Sequence, residues 1–157
     1  MTNANRHVLA VAAVAVIGCS QTRPSSESDP EAAVAPDSEI SAFLDKYFAT
    51  WSAHDLKAYG RCFDVEATVQ FLRPDGTLKV YGLGSFLATQ RRAQAAAPQS
   101  RETATSMRIE RKGDVATAFV RWRLDSGERI VTGTDCFLLA RREGEWLVTA
   151  LLVRGDP

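Results

Sequence analysis

Apolar residues recur at helical spacing from residue 40 onward, with polar residues between them. They fall at positions i, i+3, i+4, i+7, i+8 and i+11: Ile40, Phe43, Leu44, Tyr47, Phe48 and Trp51. This spacing predicts a helix with one buried face, for which Asp37 or Ser38 is a suitable N-cap. The pattern breaks at His54, and Asp55 can cap a second, short helix. The apolar side of that helix is predicted to consist of Leu56, Tyr59 and Phe63.

The middle of the chain predicts a hairpin followed by a third helix. Thr68–Leu72 and Thr77–Tyr81 are rich in strand-forming residues and flank the turn Pro74-Asp75-Gly76. Proline fixes φ in such a turn and glycine permits a positive φ, so the two segments are expected to pair. Ser85 is a suitable cap for the third helix, which is expected to end before Pro98.

The second half of the chain alternates between apolar and polar residues over long stretches, as strands with one buried face do. The first strand is marked by Thr103, Thr105, Met107 and Ile109. Three further strands are predicted over Val115–Leu124, Arg129–Arg141 and Trp146–Arg154. Short turns that contain glycine separate them, which is typical of an antiparallel meander. Because helices precede strands, the order predicts an α+β domain with helices packed on one face of a sheet.

The strand predicted over Arg129–Arg141 carries one acidic residue in an otherwise uncharged row. Its buried face is predicted to contain Val131, Gly133, Asp135, Phe137 and Leu139. Burial of an unpaired carboxylate is costly, so Asp135 is expected to lie beside a pocket and to keep its proton, with a raised pKa. The alternative is an ionised Asp135 paired with Arg121 or Arg123 of the preceding strand, since the sequence does not fix the register of this hairpin.

The N-terminal residues have the pattern of an export signal. Val8–Ile17 is an apolar run with the length of a signal-peptide core, too short to cross a bilayer as a helix. It ends in Val16-Ile17-Gly18-Cys19, which resembles a bacterial lipobox. This predicts a lipoprotein signal peptide over residues 1–18 and an acylated Cys19. The protein would then lie in the cell envelope, periplasmic or on the outer surface, and contact the membrane only through its lipid anchor.

Composition divides the rest of the chain into a tether and a domain. Residues 19–38 are rich in Ser, Pro, Glu and Ala, which is typical of a disordered linker, so the domain is expected over residues 39–157. The chain has 19 basic and 19 acidic residues, and this balance gives no indication of a nucleic-acid partner. No cluster of His, Cys and carboxylates has metal-ligand spacing, and no phosphate-binding loop is present. We therefore expect neither a metal nor a cofactor.

The order of the predicted elements resembles that of the nuclear transport factor 2-like (NTF2-like) superfamily, which includes ketosteroid isomerase and SnoaL-like cyclases. Three segments carry the resemblance: Tyr47–Leu56 is similar to its first helix and the break after it, Ala67–Phe71 to its first strand, and Thr134–Phe137 to the Asp-x-Phe of its penultimate strand. The resemblance implies a cystatin-like cone, in which a curved, mainly antiparallel sheet wraps the N-terminal helices and a pocket opens at one end.

Comparison with ketosteroid isomerase suggests half of a catalytic site. The resemblance places Tyr47 and Asp135 at the positions of that enzyme's oxyanion-binding Tyr and protonated Asp, a system that is a standard example of a carboxyl group kept neutral. At the position of its general base stands Phe71, which cannot accept a proton. Tyr47 and Asp135 are therefore catalytic candidates without an identified base, and whether the protein is an enzyme stays open.

The favoured function is a binding module for a small, partly apolar ligand. Its pocket is predicted to be lined by Tyr47, Trp51, Phe71, Phe86, Phe119 and Asp135. The first alternative is a cofactor-free isomerase, cyclase or dehydratase that acts on a carbonyl compound. The second is an interaction domain that dimerises through the outer face of the sheet, which is predicted to carry Val120, Trp122, Cys136 and Leu138. A homodimer is expected on the same ground.

Four further residues have candidate roles. His54 and Asp55 could act as a base and its orienting group, although helix capping explains Asp55 without any function. An exported protein can form disulfides, but Cys136 is expected to point away from the helices, so a bridge to Cys62 is not favoured.

Overall fold

The computed structural model describes residues 37–157. The predictions for the signal peptide, for Cys19 and for most of the tether lie outside these residues. No helix within residues 37–157 is long and apolar enough to cross a membrane.

Within residues 37–157, three helices form as the hydrophobic pattern predicts. They are α1 (Ser38–Ser52), α2 (Leu56–Gly60) and α3 (Leu83–Ala96). The Asp37 carboxylate accepts the backbone N–H groups of Glu39 and Ile40, and Asp55 accepts that of Ala58, so both aspartates act as N-caps.

The predicted N-cap of α3 is wrong. The helix begins earlier, at Leu83, with Gly82 at the N-cap position and no side-chain cap. The Ser85 hydroxyl donates instead to the carbonyl oxygen of Gly82, at 2.9 Å. Ser85 therefore lies inside the first turn, because β2 runs directly into the helix without a loop.

The strands in the described part of the chain form one six-stranded sheet. They are β1 (Phe63–Leu72), β2 (Leu78–Gly82), β3 (Arg101–Lys112), β4 (Val115–Asp125), β5 (Ile130–Arg142) and β6 (Glu145–Gly155). Their order across the sheet is β2-β1-β6-β5-β4-β3, and every neighbouring pair is antiparallel except β1 and β6. The result is the predicted α+β architecture, with a curved, mainly antiparallel sheet.

The hydrophobic core lies between α1 and the inner face of this sheet. From α1 it contains Ile40, Leu44, Tyr47, Phe48 and Trp51, all buried. The sheet contributes an apolar surface made of Val69, Ala118, Val120, Phe137, Leu139, Val148 and Leu151. The helical face predicted from the spacing of apolar residues is thus the face that packs on the sheet.

The register of the β4–β5 hairpin corrects the predicted outer face. Asp125 pairs with Ile130, so Val120 lies directly opposite Asp135 and Trp122 opposite Gly133. Residues directly opposite in a sheet share a face. Val120 and Trp122 are therefore buried on the inner face, and their predicted exposure is wrong.

The same register decides between the two states predicted for Asp135. The arginines of β4 point to the outer face, where Arg121 pairs with Asp156 at 2.7 Å and Arg123 with Asp125 at 3.1 Å. Neither arginine faces Asp135, so the arginine-paired alternative is wrong.

The cysteines of the domain lie on opposite sides of the sheet. Cys62 is buried, with its thiol 3.7 Å from the carbonyl oxygen of Ala58, whereas Cys136 pairs with Phe119 on the outer face. Within residues 37–157 neither cysteine forms a disulfide.

Candidate ligand site

The carboxyl group of Asp135 lies inside the cone, with 3% of the residue exposed. Its Oδ1 accepts the indole N–H of Trp122 at 2.9 Å. Gly133 makes this contact possible, because a methyl group there would overlap the Trp122 ring and the carbonyl oxygen of Arg154. One strand face therefore provides both the acid and the space for the indole that binds it.

A second acidic residue, Glu102 on β3, is half-buried on the same face of the sheet as Asp135. Glu102 pairs with Leu124 of β4, on the inner face. The Ser52 hydroxyl at the end of α1 donates to the Glu102 carbonyl oxygen at 2.7 Å and accepts the Glu102 N–H at 2.8 Å. This double contact fixes the start of β3 against the end of α1.

Burial perturbs both acids in the same direction. It raises the pKa of Glu102 to about 7. For Asp135, burial raises the pKa well above its ordinary value, the nearby charge of Glu102 raises it further, and the Trp122 hydrogen bond lowers it. Burial therefore favours the protonated form of Asp135, and Glu102 titrates near neutrality.

Two phenol groups complete this interior polar cluster. The hydroxyls of Tyr47 and Tyr59 lie 2.7 Å apart, and burial raises the pKa of each well above its ordinary value. Phe63 packs beside both rings, and Phe137 meets Tyr47 edge-on at 5.1 Å. We name Tyr47, Tyr59, Glu102, Trp122 and Asp135 the acid cluster.

A cavity of about 480 Å³ opens at the end of the cone, between the C-terminal end of α3 and the turn of the β4–β5 hairpin. Its apolar walls are formed by Trp51, Ala93, Ala96, Ala97, Leu124 and Val131. Its polar residues are Gln99, Ser100, Ser126, Glu128 and Arg129. Gln99 reaches across it, donating from Nε2 to the Ser126 carbonyl oxygen at 3.0 Å. We name this space the mouth cavity.

Trp51 is held in the wall of the mouth cavity by α3. Its indole N–H donates to Gln90 Oε1 at 2.9 Å, and Gln94 donates to its carbonyl oxygen at 2.9 Å. Gln94 is a buried polar residue of α3, so its side chain serves this contact. The helix thus fixes the Trp51 indole in the wall of the mouth cavity.

The residues predicted to line one pocket do not lie together in the structure. Trp51 lines the mouth cavity, whereas Tyr47, Phe86 and Asp135 are buried behind it in the core. Phe71 is half-buried and packs against Tyr81 and Phe86.

Phe119 is placed elsewhere, on the outer face with 42% exposure and with Arg108 over its ring. It therefore shares no cavity with Asp135, and its assignment to the pocket is corrected by the hairpin register. His54 and Asp55 do not form the predicted pair of a general base and its orienting group. His54 Nε2 lies 3.3 Å from the Ser100 carbonyl oxygen, and Asp55 caps α2.

Sequence reasoning missed Glu102, because β3 contains a bulge. The register shifts between Ala104 and Ser106, so that Glu102 and Ala104 share the inner face with Met107 and Ile109. The alternation of apolar and polar residues that begins at Thr103 assigns Glu102 to the other face. At the bulge this alternation shifts by one residue, and no residue type in the sequence marks the shift.

Within residues 37–157, no group of three or more His, Cys, Asp or Glu side chains is placed to hold a metal ion. The acid cluster contains two carboxyl groups, and that of Asp135 accepts the indole N–H of Trp122.

Fold and site together define a domain of the NTF2-like, cystatin-like class. More specifically, the chain belongs to the family described as "putative lumazine-binding", whose sequence profile matches residues 35–151. The comparison with curated proteins gives no significant match.

Solved structures with the same fold differ widely in sequence. An NTF2-like protein of unknown function from Shewanella baltica shares 23% identity over 76% of this chain and 92% of its own, with a TM-score of 0.59. A cystatin-like protein of unknown function from Nostoc punctiforme shares 15% over 76% and 90%, with a TM-score of 0.63. The β subunit of benzoate 1,2-dioxygenase from Burkholderia mallei shares 16% over 74% and 88%, with a TM-score of 0.62. At these identities the comparisons establish the fold alone.

Proposed function

We propose that the domain binds a small, partly apolar molecule in the mouth cavity. The observation that carries this proposal is the cavity itself, about 480 Å³ and lined by both apolar and polar residues. Ligand pockets typically have about 300–1,000 Å³ and place a few polar groups around apolar walls. The family description adds a ligand class, because a lumazine is a flat heterocycle that carries carbonyl and N–H groups.

The cavity has the features that such a ligand needs. Trp51 and the alanines of α3 offer flat, apolar contact, whereas Ser100, Ser126 and Arg129 offer hydrogen bonds to carbonyl and N–H groups at the rim. Aromatic side chains favour stacked or edge-on contact with a flat ring.

Calorimetric titration with lumazine as the probe tests this proposal. Val131→Phe places a ring in the cavity and should weaken binding at least tenfold. Val65→Phe is the matched control, since Val65 is 84% exposed on β1 and should leave affinity unchanged. No binding by wild type, or equal binding by both variants, would contradict the proposed site.

A second candidate is acid–base catalysis on a carbonyl compound. The observation that favours it is Glu102, whose pKa of about 7 suits a proton acceptor at neutral pH. Glu102 also lines a groove of about 420 Å³ between α1 and β3. Asp135, which keeps its proton, would act as the donor. Deuterium uptake from D₂O beside the carbonyl of cyclic enones should then be accelerated by wild type and abolished by Glu102→Gln.

We further propose that the domain is anchored in the cell envelope through an acylated Cys19. The support is the sequence Val16-Ile17-Gly18-Cys19 after an apolar run of signal-peptide length. Cys19→Ser should release the protein from the membrane fraction and abolish labelling with fatty acid. Retention of both properties would contradict the anchor.

We also propose a homodimer through the outer face of the sheet. This face carries the apolar residues Phe119, Cys136, Leu138, Ala150 and Leu152, and Leu138 is 47% exposed. Apolar patches of this kind are typical of interfaces. Light scattering should show dimers of wild type, monomers of Leu138→Glu and dimers of the control Val65→Glu. A wild type that is monomeric at high micromolar concentration refutes the proposal.

A further inference from the structure

The inner face of β5 leads from the mouth cavity to the acid cluster. Val131, Gly133 and Asp135 follow one another on this face, and the rise of a strand places each about 6.8 Å beyond the one before. Val131 lines the mouth cavity, whereas Asp135 is buried in the core. Whether a ligand in the cavity can reach the Asp135 carboxyl group therefore depends on what covers Gly133.

One large side chain occupies the level of Gly133. The residues that lie opposite one another at this level are Ala104 on β3, Trp122 on β4, Gly133 on β5 and Gly155 on β6. Only Trp122 among these has a side chain larger than a methyl group. Its ring enters the space that a Cβ atom of residue 133 would take, and its Nε1 donates to Asp135 Oδ1 at 2.9 Å. The indole thus covers β5 between Val131 and the Asp135 carboxyl group.

We propose that Trp122 determines which ligands fit, because its indole closes the inner end of the mouth cavity; this rests on the ligand site proposed above. A molecule in the cavity contacts Leu124 and Val131, which belong to the level in front of the indole, and is kept from Asp135 behind it. Binding in the mouth cavity therefore needs no movement of Trp122, whereas chemistry at Asp135 from this cavity requires the indole to leave.

The closed end also sets the chemistry of the ligand. An indole has one hydrogen-bond donor, and that of Trp122 is used by Asp135. The inner end therefore presents carbon atoms, whereas the polar residues that line the cavity include Ser100, Ser126 and Arg129. We expect a compact heterocycle that places an apolar edge against Trp122 and directs its carbonyl and N–H groups to those polar residues.

Indole is the first probe, because Trp122→Ala leaves a space of this shape. Calorimetric titration should show that Trp122→Ala binds indole about tenfold or more tightly than wild type does. Addition of Val131→Phe puts a ring in the route from the mouth cavity and should cancel this gain. The matched addition of Val65→Phe, at an exposed position of β1, should leave the gain intact.

Lumazine and alloxazine measure the depth of the site. Alloxazine carries one further fused ring on the apolar side of lumazine. Trp122→Ala should bind alloxazine about tenfold or more tightly than wild type does, with a smaller change for lumazine. The matched control is Trp146→Ala, which removes another buried indole opposite Arg141, at the other end of β5. It should leave both affinities unchanged.

Three outcomes would overturn the proposal. They are an unchanged indole affinity in Trp122→Ala, a gain that persists after addition of Val131→Phe, and equal gains for alloxazine and lumazine. A wild type that does not bind lumazine contradicts the ligand site proposed above, whereas the indole titrations still decide whether Trp122 closes the cavity. If Trp122→Ala does not fold, Trp122→Phe takes its place, and an unchanged affinity of that variant for alloxazine refutes the proposal.

Discussion

Replacement of Gly133 by alanine tests the packing that supports the acid cluster. The added methyl group would overlap the Trp122 ring and the carbonyl oxygen of Arg154. Arg154 is a backbone contact of the neighbouring strand and cannot yield easily, so the indole must move. Movement of the indole breaks its hydrogen bond to Asp135, since Nε1 and Oδ1 are only 2.9 Å apart in the native fold.

The expected loss of stability combines two contributions. Overpacking of a core costs about 1–3 kcal/mol. Loss of a buried hydrogen bond that leaves its partner unsatisfied costs a further ~1–3 kcal/mol. We therefore expect the free energy of unfolding to fall by about 2–6 kcal/mol. For a domain of this size, roughly 4 °C per kcal/mol translates this into a melting temperature about 8–24 °C lower.

Urea unfolding followed by tryptophan fluorescence measures the effect. The matched control is Gly155→Ala, because Gly155 is the direct cross-strand partner of Gly133 and a methyl group there meets no atom within 4 Å. It should leave stability unchanged or raise it slightly, since alanine restricts the unfolded chain. If Gly133→Ala costs no more than Gly155→Ala, the packing argument is refuted.

Three further predictions concern single groups of the fold. Asp135→Asn should change stability at pH 7 by less than ~1 kcal/mol, because a neutral amide replaces a neutral acid; a loss of several kcal/mol in urea unfolding would show an ionised Asp135. Asp55→Ala should cost about 1 kcal/mol by the same assay, as loss of an N-cap does, with little change for the exposed Asp114→Ala. The free energy of unfolding of wild type should decrease between pH 4.5 and about 7, by up to roughly 3 kcal/mol. The reason is that Glu102 loses its proton near pH 4.5 in the unfolded chain and near pH 7 in the folded one. A constant free energy of unfolding across this interval would contradict the raised pKa.

Local pattern was sufficient to predict the elements of the fold. The apolar spacing from Ile40 to Trp51 gave the buried face of α1, and the caps Asp37 and Asp55 follow from short-range hydrogen bonding. The turn at Pro74-Asp75-Gly76 joins two strands that pair as expected. These features depend on residues close together in the chain, so the sequence states them directly.

The site was predicted less well, because it depends on register between strands. The hairpin pairs Asp125 with Ile130, which moves Trp122 inward and Phe119 outward. The bulge after Ala104 puts Glu102 on the inner face of the sheet. A one-residue change of register or phase exchanges the two faces of a strand, and no local pattern in this chain fixed either one.

The position of β6 has a consequence for how the chain reaches its native state. This strand, the last of the six in chain order, lies between β5 and β1, and its contact with β1 is the parallel one. The β1–β2 hairpin and the β3–β5 meander therefore have no shared edge until β6 is inserted between them. Such non-local closure is slow, because the entropy of a long loop must be lost before the contacts form. Because synthesis begins at the N-terminus, β6, which connects the two parts of the sheet, is made after the other strands. Both parts of the nascent sheet therefore have unpaired edge strands until β6 pairs with them.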